Sequence, residues 1–285
     1  MRTASIYLII SLFTIESYSQ QFRLILWLDK VDSVYVDGKR KNLSKDNQTR
    51  IIVDSISEGV HSIRLIKDGY HSKKDIIYIV HNKNNSRKHG IETINYESKS
   101  LIPKDNSKFG LLTDERDGSV YGTVMIGDKT WMSENLNYFS GSGCWNYQED
   151  FNNGNIYGKL YDWHTAIRVC PSGWHLPSSE EWESTKNSLL GWAGEKMKSE
   201  RFGGNNESGL SVLGAGFRAK KFLLNKHLYY RKGEHAYFWT STTNQKGKLF
   251  AVAVVLLYDF RDIITEEHES KETGYSVRCV KDNKE

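Results

Sequence analysis

The sequence predicts an α+β C-terminal half preceded by a small all-β domain, in a chain of 285 residues. Two patterns carry this expectation. From Phe22 to Val80 short alternating strands are separated by Gly-containing turns, with no helical period between them. The second half mixes such strands with two helix signals, one of them a capping box led in by a proline. With 38% hydrophobic residues and eight tryptophans the chain has material for a real core, which excludes wholesale disorder. Three prolines against 23 glycines argue for turns rather than Pro-rich linkers. A net charge of +4 is a weak excess over this length and does not predict nucleic-acid binding.

The chain opens as an export signal does. Met1-Arg2 is a short positive start, Ile6 to Phe13 an apolar core, and Ser17-Tyr18-Ser19 offers small residues for cleavage before Gln20. The apolar run is too short for a stable membrane span, and no cysteine follows it to take a lipid. Expected boundaries are therefore a signal peptide at 1–19, a β domain at 20–96, a linker at 97–110 and the α+β domain at 111–285. The mature protein is expected outside the cytoplasm, in the periplasm, on the cell surface or secreted. In such a compartment two of the three cysteines, Cys144, Cys170 and Cys279, are expected to pair, and spacing alone does not say which.

In the first domain, Phe22–Trp27 and Ser33–Val36 lead into Asp37-Gly38, a two-residue hairpin signal. Ile51–Val53, a turn at Glu58-Gly59, the alternating His61–Leu65, a turn at Lys67–Tyr70 and Ile76–Val80 complete a small antiparallel sandwich. The segments Val34-Tyr35-Val36-Asp37-Gly38, Gly59 to Leu65 and Lys67 to Tyr70 resemble the PEGA-type surface domain, which implies a spacer or interaction role. The polar, basic run His81–Gly90 reads as a solvated loop, and Ile91 to Tyr96 as one more strand.

In the second half, hairpins are expected at Asp117-Gly118 and Gly127-Asp128. Leu160, Trp163 and Ile167 mark one stripe of a short helix. Ser178 to Glu181 is the capping box of a second helix starting at about Ser179, with Trp182, Thr185 and Leu189 on its buried face. Between them lies the Pro-bounded corner Cys170 to Pro177. Gly191 to Lys232 reads as long loops, followed by strands at Phe238–Thr242, Phe250–Leu257 and Tyr275–Val280.

Five blocks in order carry a second resemblance: Trp131-Met132-Ser133-Glu134-Asn135-Leu136, Tyr157 to Trp163, Cys170 to Pro177, Phe238 to Thr242, and Ser276 to Val280. Over about Leu112 to Asp282 the chain closely resembles the Fibrobacter succinogenes major paralogous domain, a C-type-lectin-like family of exported proteins in Bacteroidetes and Fibrobacteres. The resemblance implies a lectin-like fold and a bridge between Cys170 and Cys279. Many members carry a second cysteine pair where this chain has only Cys144-Trp145-Asn146-Tyr147, so Cys144 is expected unpaired or linked to another molecule. The Glu-Pro-Asn or Gln-Pro-Asp loop of calcium-dependent lectins is absent from the sequence, and no metal or cofactor is expected.

Among polar candidates, His175 reads as a hydrogen-bonded scaffold residue, Glu134-Asn135 as a turn or buried hydrogen-bond pair, and Glu180 and Glu181 as helix-capping acids. Trp131, Trp163, Trp174 and Trp239 are expected in the core. Rings outside the blocks, Trp145, Tyr147, Phe151, Trp192, Tyr229 and Tyr230, are the candidate recognition residues, since sugars and protein partners both stack on loop aromatics. The expected function is a non-catalytic surface or secreted module binding an unidentified glycan or protein. The alternative is a structural piece of a surface assembly linked through Cys144. A third reading is a thiol oxidase distantly related in fold to formylglycine-generating enzymes, which needs two free thiols close together in a cleft.

Overall fold

The computed structural model divides the chain into two compact units, Met1–Ser107 and Lys108–Glu285. It describes residues 5–13, 21–27, 33–41, 50–56, 59–66, 73–79, 92–97, 108–221, 226–243 and 249–283. The cleavage site at Ser17–Ser19, the turn at Lys67–Tyr70 and the basic run at His81–Gly90 lie outside the described residues.

The described part of the first unit is strand apart from the Asp37-Gly38 turn: β1 (Ser5–Phe13), β2 (Gln21–Trp27), β3 (Ser33–Val36), β4 (Lys39–Lys41), β5 (Arg50–Ile56), β6 (Gly59–Ile66), β7 (Lys73–Ile79) and β8 (Glu92–Glu97). These form two four-stranded sheets, β5-β2-β1-β8 and β4-β3-β6-β7, with every pair antiparallel. Asp37 and Gly38 both take positive φ, 51° and 76°, the backbone that a two-residue turn needs to match strand twist. Val34 and Val36 are buried on either side of half-buried Tyr35, the period of a strand with one covered face. Buried His61 meets the Asp37 carboxylate at 2.7 Å through Nδ1, tying β6 to the turn.

The segment expected as a leader contains a strand when it is present in the chain. Ser5–Phe13 is β1, an inner strand paired with β2 through Leu8↔Leu26 and with β8 through Leu8↔Ile94. An Ile-rich apolar run suits a buried strand as well as it suits a signal's apolar core, and here it has a strand edge on each side.

The second unit contains β9 (Phe109–Thr113), β10 (Val120–Ile126), β11 (Lys129–Met132), β12 (Cys144–Trp145), α1 (Phe151–Tyr157), β13 (Leu160–Tyr161), α2 (Trp163–Ala166), β14 (Trp174–His175), α3 (Ser179–Ser188), α4 (Ala193–Met197), β15 (Phe217–Lys221), β16 (Lys226–Tyr230), β17 (His235–Thr243), β18 (Phe250–Leu257), β19 (Ile263–Ser270), β20 (Tyr275–Ser276) and β21 (Val280–Lys281). One sheet runs β14-β21-β11-β10-β9, a second runs β12-β13-β20-β17-β18-β19, and β15 pairs with β16 alone. The unit is α+β. Its first strand starts at Phe109.

The hairpin β17–β18 is covered on both sides. Ala236, Phe238, Val254 and Leu256 join a cluster with Trp131, Trp182, Met197 and Phe202. Their strand neighbours Trp239, Ala251 and Ala253 join another with Tyr161, Trp163, Tyr275 and Cys279. Successive side chains point to opposite faces, so a strand covered on both must be apolar throughout, as Phe250–Leu257 is. Each large side chain so buried contributes about 1.5–3 kcal/mol. The outermost strand β19 instead carries exposed Glu266, Glu267 and His268, charges that oppose pairing with another chain.

Helix α3 forms where the capping box places it. The Ser178 side chain accepts from the Glu181 N–H, and Glu181 accepts from the Ser178 N–H. Trp182 and Thr185 are buried and Leu189 packs against the same cluster. The expected stripe Leu160, Trp163 and Ile167 does not form one helix. Leu160 is in β13, Asp162 caps a short α2 by accepting from the Thr165 N–H, and Ile167 is exposed. A capping aspartate sets where a helix starts more firmly than three apolar residues do.

Two further expectations are corrected. Gly191 to Lys232 holds α4, a 3₁₀ turn at Glu200–Phe202 and the β15–β16 hairpin rather than long loops. The final strand Tyr275–Val280 is two strands in different sheets, β20 on β13 and β17, and β21 on β11 and β14. Cys279 lies in the crossing between them.

Candidate recognition surface

The chemistry-bearing residues near the corner Cys170–Pro177 are structural in their contacts. Cys170 is bridged to Cys279 across 109 residues. The Cys144 thiol is free and buried. His175 uses both ring nitrogens, Nδ1 on Asp282 at 2.6 Å and Nε2 on Glu181 at 3.1 Å. Lys129 reaches the other Glu181 oxygen at 3.3 Å. Burial works to raise the Glu181 carboxyl, but the Ser178 amide, His175 and Lys129 outweigh it and hold it below the usual carboxylate range. His175 therefore joins the end of the chain to the start of α3.

The remaining polar candidates are fixed the same way. Glu134 accepts from the Gly122 N–H at 2.8 Å. Asn135 donates to the Tyr157 carbonyl at 2.7 Å and accepts from Arg278. Trp131, Trp163 and Trp239 are buried, and their indole N–H groups donate to Thr185 Oγ1, the Thr240 carbonyl and the Tyr161 carbonyl. Trp174 is half-buried. Among the described residues no group of His, Cys, Asp and Glu is placed to hold a metal ion.

The predicted recognition rings do not form one face. Trp145, on β12, has the Arg218 guanidinium 3.8 Å over its ring. Tyr147 is buried in a 3₁₀ turn, 5.1 Å from the Tyr229 ring, with Lys232 over it at 5.2 Å. The Tyr229 hydroxyl donates to Glu149, and burial together with that carboxylate pushes the phenol well up. These residues are brought together. Tyr230, one residue on, faces the other side of β16 and stacks on Phe217 at 5.2 Å. Phe151, at the start of α1, is 64% exposed.

Trp192 stands apart from all of them, 55% exposed before α4. Its neighbours were not singled out from the sequence. Arg261 lies over its ring at 4.8 Å, and the Glu195 N–H donates to the Arg261 carbonyl at 2.8 Å. Gly194 permits that approach, since a Cβ there would sit 2.4 Å from the Asp262 carbonyl oxygen. Lys198, 1% exposed, donates to the carbonyls of Leu257, Tyr258 and Phe260 at 2.8, 2.8 and 2.9 Å. With its carbonyls turned inward, the β18–β19 turn presents Tyr258 at 53% and Phe260 at 45% exposure, and Leu190, near Trp192, is 80% exposed. The sequence signal was there, as Tyr258 and Phe260 follow directly on the apolar run of β18, but nothing local says which rings a turn will leave outside.

The model of the Fibrobacter succinogenes major domain matches residues 124–281, more than half of the chain. The chain belongs to this family. Searches of curated proteins and of solved structures each returned no match. The disulfide, His175, Glu134, Asn135 and the four buried tryptophans Trp131, Trp163, Trp182 and Trp239 all lie inside the Fibrobacter succinogenes major domain. So do the Trp192 surface and the β15–β16 hairpin, although neither falls in the five blocks by which the domain is read.

Proposed function

We propose that the protein is an exported, non-catalytic binding module, and that the surface of Trp192, Tyr258, Phe260 and Leu190 is where the Fibrobacter succinogenes major domain takes a glycan or protein ligand. The observation that carries this reading is the Lys198-braced turn beside Trp192. Tyr258 and Phe260 on that turn, and Leu190 and Trp192 ahead of α4, are each 45–80% exposed on two segments joined by the Glu195–Arg261 backbone bond. Such apolar surface on a folded domain marks an interaction site, and rings on a braced turn lose little freedom when a sugar or side chain stacks on them. The α+β architecture and a bridge from the segment after α2 to the last crossing support a C-type-lectin-like fold. The strands described in the first unit support a PEGA-like spacer.

The other two readings fit the geometry less well. A covalent surface assembly needs a thiol open to a second molecule, and Cys144 is only 8% exposed. An oxidase needs two neighbouring thiols, and Cys170 and Cys279 are joined to each other.

The test is a glycan-array and protein pull-down screen of the exported protein, with N-terminal sequencing of the same sample. A ligand weakened about tenfold or more by Trp192→Ala or Tyr258→Ala is the expected result. A ligand indifferent to both substitutions overturns the surface. A chain recovered with Met1 at its start overturns export through a cleaved leader.

A further inference from the structure

We propose a second binding site on the Fibrobacter succinogenes major domain: one face of the β15–β16 hairpin, bearing Arg218, Lys220, His227 and Tyr229, takes a polysaccharide that carries carboxylate or sulfate groups. The site shares no residue with the Trp192 surface and stands or falls separately.

The register assembles it. Arg218 pairs with Tyr229 and Lys220 with His227, and directly opposed residues, like residues two apart on a strand, share a face. The other face carries Phe217 and Tyr230, whose stacked rings continue into Tyr237 at 5.0 Å from Phe217 and Tyr275 at 4.7 Å from Tyr237. The hairpin is therefore amphipathic. One side is held by the aromatic stack, and the other concentrates groups that are positive or able to become so. The strands themselves contain Arg218, Lys220, Lys221 and Lys226 and no carboxylate.

Arg218 is the centre of the site. It is 8% exposed, its guanidinium lies flat on Trp145, and one Nη donates to His227 Nδ1 at 2.9 Å. Its Nε is buried with no acceptor, and among the described residues no carboxylate lies within ion-pair distance of it or of Lys220. The two carboxylates in the neighbourhood are engaged or peripheral: Glu149 accepts from the Tyr229 hydroxyl, and exposed Glu272 acts on His227 only through its charge. A nearly buried guanidinium lacking a counter-ion, with a lysine on the same face, is costly to hold. An arriving oxyanion offsets both terms, and the planar fork of an arginine fixed on a ring suits a carboxylate or sulfate oxygen pair.

The strip also selects the kind of molecule. Arg218 and Lys220 lie about 7 Å apart along one strand, with the half-buried Tyr229 and Trp145 rings beside them. Two cations in line, with Tyr229 and Trp145 both beside Arg218, fit a polymer that repeats oxyanions and offers a sugar face at one of them.

The test is calorimetric titration of the full chain with polygalacturonate, dextran sulfate, neutral dextran and single-stranded DNA. At least one anionic polysaccharide is expected to bind about tenfold more tightly than dextran and DNA, and the better of the two identifies the oxyanion. Lys220→Gln, at an exposed position, is expected to weaken it several-fold, and Arg218→Gln more. Trp192→Ala leaves it unchanged. Equal binding of dextran, DNA bound as tightly as the polysaccharides, or no effect of Lys220→Gln overturns the site. Loss of the polysaccharide in Trp192→Ala with Lys220→Gln unaffected overturns it too, while leaving the Trp192 surface standing.

Discussion

Arg278 donates through Nε to Asn135 Oδ1 at 2.8 Å, a buried contact between residues 143 apart in the chain. The same guanidinium donates to the Leu210 carbonyl and, at 3.3 Å, to that of Ser211. Asn135 in turn donates to the Tyr157 carbonyl and to Ser276 Oγ at 3.3 Å. One fully buried pair thus joins the segment after β11, the end of α1, the loop before β15 and the last crossing.

Burial pushes the Arg278 guanidinium down to about 9, so it stays charged at neutral pH and depends on these acceptors. Asn135→Ala removes the side-chain acceptor and is expected to cost about 2–3 kcal/mol in urea unfolding. A midpoint unchanged from wild type would show that the pair is replaceable by water.

Opening the Cys170–Cys279 bridge releases a constraint spanning 109 residues. In the chain-entropy model that is worth about 4–5 kcal/mol. The double substitution Cys170→Ser, Cys279→Ser is expected to lower the melting temperature of the Lys108–Glu285 unit by about 8–20 °C, at 2–4 °C per kcal/mol for this size. Melting with and without reductant checks it, and coincident curves would contradict it.

Two histidines set a pH dependence. His227 is lowered by burial and then by the charges of Arg218 and Lys220, and His235 by burial and then by Arg231. Glu272 opposes the shift at His227, and Glu234 and Asp259 oppose it at His235. A folded value below the unfolded one near 6.5 means the contribution is present above about pH 6.5 and is lost as pH falls through the folded value. Thermal melts are expected to weaken as pH falls below about 6.5, above the range where carboxylates titrate. His227→Gln combined with His235→Gln should flatten that slope; an undiminished slope in the double variant would place its origin elsewhere.

Lys198 touches no ligand in the proposed function, yet it holds the turn that presents Tyr258 and Phe260. Lys198→Met strands three carbonyls and is expected to cost about 1–3 kcal/mol and to weaken binding at the Trp192 surface by about fivefold or more under conditions where the domain remains folded. In Lys198→Ala the three oxygens are free to take a small cation, and added ammonium ion should recover part of the lost stability. Ligand affinity identical to wild type in a folded Lys198→Met protein would separate the turn from recognition.

Local chemistry was legible because it is written in neighbouring residues. Asp37-Gly38 makes its turn, Ser178 and Glu181 start α3, and Phe250–Leu257 becomes the strand covered on both faces. The five ordered blocks identify the family without reference to any fold. The misreadings share a cause, a local signal outweighed by a partner far along the chain. The run Tyr275–Val280 reads as one strand and is two because its halves pair in different sheets. Leu160 has helical spacing to Trp163 and is a strand because Ser276 pairs with it.

The sequence by itself determined the family, the α+β class of the second unit, the helix start at Ser178 and the kind of residue available for recognition. Only the tertiary structure decided which rings are exposed. It buried Tyr147 under Tyr229, laid Arg218 on Trp145, and left Trp192, Tyr258 and Phe260 exposed. Exposure depends on what packs against a ring, and the groups that decide it here, Arg218 for Trp145 and Lys198 for the β18–β19 turn, are dozens of residues away.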